Sequence, residues 1–128
     1  MSMGIDLTTE AIRLAMGMHQ LRAENASRNI ALANTPGAQA TRLDFGSSQG
    51  LLEQAAALAL HDNGSLLASL DAAGSHPGAS ASVDADGNGI NLDEEVANMA
   101  TANIEYTALT ESLSRHFGLM RLAINGRN

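Results

Sequence analysis

The chain has no cysteine, no tryptophan and no lysine, and its 128 residues include only three aromatics, Phe45, Tyr106 and Phe117. Without cysteine there is no disulfide, no thiolate metal site and no cysteine nucleophile. The apolar share is 45%, yet it is mostly Ala, Leu and Met, which favours helix-on-helix packing over a large compact core. Basic residues are all Arg, and residues 49–100 contain none, against eight acids. The net charge is −7, and a bare acidic middle argues against a clamp on nucleic-acid phosphates. No apolar run reaches the length of a membrane span. Residues 1–9 lack both a basic region and an unbroken apolar stretch, so no cleavable signal peptide is expected there.

Catalytic signatures are missing too. There is no Gly-x-Ser-x-Gly elbow and no glycine-rich phosphate loop. The four histidines, His19, His61, His76 and His116, do not fall at zinc-site spacings and read as helix-surface or loop residues. The chain reads as non-enzymatic, with no cofactor.

What is present is periodicity. Leu92, Val96, Met99, Asn103, Tyr106, Thr110, Leu113, Phe117, Met120 and Ile124 step by four and three throughout, the heptad spacing of a helix with one apolar seam. No proline falls between Asn91 and Asn125, and the helix would be roughly 50 Å long. Such a rod needs a second long helix, from this chain or a neighbour. Asn91 with Glu94 resembles a capping box, and Asp93, Glu94 and Glu95 suit the positive end of the helix dipole.

A second heptad run starts near the N-terminus: Leu7, Ala11, Leu14, Met18, Leu21 and Asn25. Asp6 or Thr8 can cap it, and Glu10 is favourable in its first turn. It must stop by Thr35, because Pro36 disfavours a helical conformation before it. Asn34-Thr35-Pro36-Gly37 is a strong turn signal.

Between the helices, residues 38–45 read as extended, 51–60 as a short helix, and 66–70 as ambiguous. Residues 72–88, rich in Gly, Ser, Ala and Asp, read as a mobile loop with too little apolar surface to offset the entropy of ordering. The expected fold is mainly α. Two long terminal helices pack as a coiled-coil-like pair around a small, loop-rich middle with a short extended segment. Residues 1–35 and 91–128 form the helices and 36–90 the partly mobile middle of one domain.

One motif points elsewhere. Asp84, Asp86 and Asn88 with Glu95 satisfy a calcium-loop pattern, with oxygen ligands at positions one, three and five and a carboxylate at twelve. Against a calcium-binding helical module, residues 78–83 do not read as an entering helix, and the eighth position, normally aliphatic, is Asn91. The bland reading is an acidic turn that caps a helix.

Asn29-Ile30-Ala31-Leu32-Ala33-Asn34-Thr35-Pro36-Gly37, followed by Leu43-Asp44-Phe45, resembles the N-terminal signature of bacterial flagellar rod and hook proteins, the axial family. Within it, Asn29, Ile30, Ala33, Asn34, Thr35, Pro36 and Gly37 carry the likeness. The run from Asn91 to Val96, Tyr106 to Thr110, and Leu113 to Ile124 is similar to the proximal-rod branch of that family. Two positions depart: Ala38 stands where the family has Tyr, and Leu32 where it has a second Asn. The resemblance implies a structural subunit in the periplasmic rod of the basal body, exported through the flagellar type III apparatus without a cleaved signal. It implies self-association in a helical assembly, with other rod subunits and the junction to the membrane ring as neighbours. The assembly seam would be Leu7, Leu14, Met18, Leu21, Leu92, Val96, Met99, Tyr106, Leu113, Phe117, Met120 and Ile124.

Overall fold

The computed structural model describes residues 7–57, 64–75, 77–83 and 89–126. Six elements follow in order: α1 (Leu7–Ala31), β1 (Thr41–Asp44), α2 (Gly46–Ala57), α3 (Gly64–Ser75), β2 (Ser80–Val83) and α4 (Leu92–Asn125). The fold is mainly helical, and the two long terminal helices pack against each other, as the heptad spacings imply.

Helix α1 ends through tightened turns, with Ala33 N bonded to Ile30 O and Thr35 N to Leu32 O. The chain then reverses at Pro36. Ala38 N donates to Thr35 O at 3.2 Å, and Gly37 has φ +79°. Proline followed by a residue with positive φ is the signature of a type II turn, which only glycine adopts cheaply. The reversal delivers β1, which pairs antiparallel with β2 in the register Thr41↔Val83 to Asp44↔Ser80. The Asp44 carboxylate accepts from Gly46 N at 2.9 Å, satisfying a free N–H at the start of α2.

The apolar core is Leu7, Leu14, Met18, Phe45, Ala55, Leu66 and Leu70, with Leu21, Leu43, Leu51 and Leu52 packed on it. It joins α1 to β1, α2 and α3. The large apolar residues on the heptad face of α1 are thus spent mainly on the middle of the chain. Residues 36–90 are accordingly less loop-like than composition implies. Residues 72–75 complete α3, and 80–83 form a strand. Leu66 and Leu70, nearly or fully buried in the stretch that reads as ambiguous, anchor α3. Pro77 then closes over α1, so near to Gly17 that a Cβ there would lie 2.9 Å from its ring.

Helix α4 runs antiparallel to α1. Glu95 meets Asn29, and ten residues further along α4, Glu105 meets His19, ten residues back along α1. That register sets Leu7 level with Phe117, so the stretch 118–125 extends about 12 Å past the level of Leu7, the first described residue. Asn91 caps α4, its side chain accepting from Glu94 N at 3.2 Å. The Glu94 carboxylate turns to Arg42 instead of completing the capping box. Only Glu95 and Ala102 of α4 are buried. Among the described residues no helix is long and apolar enough to cross a membrane.

Candidate assembly site

Ala102 is the one buried apolar residue of α4 among those described, and the first turns before it are held by polar contacts. Asn25 and Asn29, one turn apart on α1, face the backbone of Thr41. Asn25 Nδ2 donates to Thr41 O at 2.7 Å and Asn29 Nδ2 to the same oxygen at 3.0 Å. Thr41 N donates back to Asn29 Oδ1 at 3.0 Å. Two side-chain amides thereby satisfy backbone groups of β1 that would otherwise be an open strand edge.

Asn29 Nδ2 also donates to Glu95 Oε2 at 3.1 Å, and Arg42 Nη1 donates to Glu95 Oε1 at 2.6 Å. Arg42 Nη2 reaches Glu94 Oε1 at 3.3 Å. Glu95 is completely buried, with a donor on each oxygen, which offsets the cost of removing its charge from water. This clasp of Asn29, Arg42 and Glu95 locks the end of α1, the first strand and the start of α4 together.

A second link lies ten residues along. His19 Nδ1 is 2.8 Å from Glu105 Oε2, and Arg22 Nη1 lies 3.4 Å from the same nitrogen. Nδ1 carries its proton toward Glu105, so it cannot also accept from Arg22. Burial lowers the His19 pKa below its ordinary value; Glu105 opposes the shift and Arg22 adds to it. Arg22 lies over the Phe45 ring, 4.9 Å from its centroid.

Between the two links is a cleft of about 290 Å³, lined by Asn25, Arg42, Asn98, Thr101 and Glu105 among others. The Asn-Thr-Pro-Gly turn lies at the same end, with Gly37 and Ala38 lining a shallow depression with Gly89 and Ile90, the lead into α4. Of the signature residues, Asn29 is buried, Ile30 and Ala33 are half-buried, and Asn34, Thr35, Pro36 and Gly37 are exposed. Leu32 and Ala38, the two departures, are exposed and half-buried.

The seam splits. On α1, Leu7, Leu14 and Met18 are buried and Leu21 packs beside them. On α4, Met99, Leu113 and Met120 are half-buried, while Leu92, Val96, Tyr106, Phe117 and Ile124 are exposed. The buried line of α4 instead follows Glu95 and Ala102, with Leu109 and His116 continuing it at intervals of seven. At 100° per residue, that line lies to one side of the seam, so an apolar flank stays open beside the helix pair.

Asp84, Asp86 and Asn88 of the calcium pattern lie outside the described residues. Glu95, its twelfth position, has both oxygens engaged by Asn29 and Arg42. Among the described residues no group of three or more His, Cys, Asp or Glu could hold a metal ion. Sequence reasoning missed Asn25 and Arg42, and took Glu95 for a helix-dipole or metal residue. The available signal was the Asn pair at i and i+4 on a face that turns from apolar to amide. No family model, curated protein or solved structure matches the chain.

Proposed function

We propose that the chain is a structural, non-enzymatic subunit that polymerises through its terminal helices. The observation that carries this is the open flank of α4. Leu92 and Val96 are 47% exposed and Ile124 67%, on a helix of 34 residues. An apolar stripe of this length finds burial only against neighbouring chains.

The assembly we propose is the rod of the bacterial flagellar basal body, with the chain a proximal-rod subunit similar to FlgB. It supports flagellum-dependent motility as part of the axial drive shaft. In this reading the chain leaves through the flagellar type III apparatus and assembles in the periplasm with other rod subunits and the junction to the membrane ring. Three things support the reading: the Asn29–Gly37 signature, the type II turn that its Pro-Gly forms, and the seam beside it.

Mass spectrometry of detergent-purified basal bodies from the source bacterium tests it. The chain should be found at a stoichiometric level. Its absence alongside well-detected rod proteins would refute the rod reading. Phe117→Asp and Ile124→Asp should leave the helix content intact and abolish swimming, because both side chains are exposed in the single chain.

A further inference from the structure

Helix α4 is polarised along its length. Residues 92–111 carry five acids, Asp93, Glu94, Glu95, Glu105 and Glu111, and no base. Residues 112–125 carry Arg115 and Arg121 and no acid. Both arginines are exposed, and neither has a carboxylate partner among the described residues. They flank an apolar surface with Leu119 and Leu122 toward the C-terminal end of α4, Arg115 just before and Arg121 within the stretch past the level of Leu7.

The cleft between α1, β1 and α4 offers the complement. Asn25 is only 8% exposed, and its Oδ1 is buried without a hydrogen-bond partner. That oxygen has almost no accessible surface, so the acceptors the cleft presents are those of its rim. The rim acceptors lie on Asn98, Thr101 and Glu105, whose Oε2 also meets His19. The two cations in its wall are already occupied: Arg42 is bound by Glu94 and Glu95, and Arg22 lies on Phe45.

We infer that the occupant of this cleft is the basic end of α4 from a second copy of the chain, its guanidinium groups donating to the exposed Glu105 carboxylate and the Asn98 side-chain carbonyl on the rim. Donor and acceptor surfaces sit at different levels of the helix pair, the donor toward the C-terminal end of α4 and the cleft toward its start. In the inferred contact each copy uses its donor on one neighbour and its cleft on another, so it is head-to-tail and repeating it extends a row, whereas a two-fold pair that used both at once would stop at a dimer. The inference rests on the polymerising reading and names the contact within it. Basal-body composition decides the flagellar assignment, whereas association of the purified chain decides this contact.

The experiment is analytical ultracentrifugation of the full chain over a range of concentrations, in low salt and at about 0.5 M salt, where exposed charges are strongly screened. The weight-average mass should climb past a dimer in low salt and fall in high salt. The double reversal Arg115→Glu with Arg121→Glu should weaken association about tenfold with unchanged helix content, since these charges are exposed. The milder Arg121→Gln should fall between. Mixing the reversed chain with a Glu105→Arg chain should restore association. Association that stops at a dimer would overturn the head-to-tail contact. So would a mass unaffected by the reversals, which would leave polymerisation to the apolar flank alone. A chain that stays monomeric throughout would overturn it as well.

Discussion

Glu95→Gln is the sharpest probe of how α4 is held. The substitution keeps the side chain's length and removes one acceptor and the charge. Two donors now face a single amide oxygen: Arg42 Nη1, at 2.6 Å from the wild-type carboxylate, and Asn29 Nδ2, at 3.1 Å. One of them must meet an NH2 group in a buried site. A hydrogen bond to a charged group is worth about 1.5–3 kcal/mol. The Arg42 side chain is 32% exposed, so water relieves part of the loss, which places the expected cost near 2 kcal/mol. Glu95→Ala strands both donors and opens a void, for a cost of about 3–4 kcal/mol. For a chain of this size, Glu95→Gln should lower Tm by about 6–10 °C. Urea denaturation followed by far-ultraviolet circular dichroism measures the cost directly. A cycle with Arg42→Met separates the pair from its surroundings and should return a coupling of about 1 kcal/mol or more. A loss below about 0.5 kcal/mol for Glu95→Gln, with an unchanged m-value, would show that the clasp does not hold α4.

Other expectations follow from single contacts. Alanine in place of glycine ordinarily steadies a helix interior by about 1 kcal/mol, but Gly17→Ala should destabilise by a similar amount because its Cβ meets the Pro77 ring at 2.9 Å; thermal melts of Gly17→Ala in a Pro77→Ala background should recover the ordinary gain. Leu70→Ala, at a site with no exposure, should cost about 2–5 kcal/mol by urea denaturation. His19 has a lowered pKa in the folded chain, so its neutral form is favoured there; its contribution to stability is full above the ordinary value of 6.5 and is lost as pH falls from there toward the lowered value. The difference between wild type and His19→Gln should narrow over that window in pH-dependent melts. Calorimetric titration with calcium to about millimolar concentration should give no heat, since Glu95 has both oxygens engaged; a saturable heat that Asp84→Asn removes would contradict this.

The long helices were plain in the sequence because both carry heptad steps, and Asn91 caps α4 as its spacing with Glu94 implies. What periodicity did not reveal is which partner each face meets. A heptad reports an apolar stripe and not its neighbour, and the α1 stripe went to α2, α3 and Phe45. Helix α3 was illegible because its stability comes from Leu66 and Leu70 meeting distant residues, not from local propensity. The clasp was hidden for a different reason. Asn25, Asn29, Arg42 and Glu95 are ordinary surface types, and only the antiparallel packing makes them interior. The Pro-Gly turn was fully legible, because its backbone angles are written into those two residues.

Every residue of the buried apolar cluster comes before position 71. A chain that emerges from its N-terminus, whether from a ribosome or through a narrow channel, therefore has nearly all of that interior in hand while α4 is still threading, with Ala102 the buried apolar residue still to come. The final helix arrives at a body already able to collapse and is received by amides and a guanidinium rather than by oil. Docking of this kind is directional, since Glu95 fits at one register and a slip by one turn would strand it. The last third of the molecule thus behaves as a keyed arm added to a finished block.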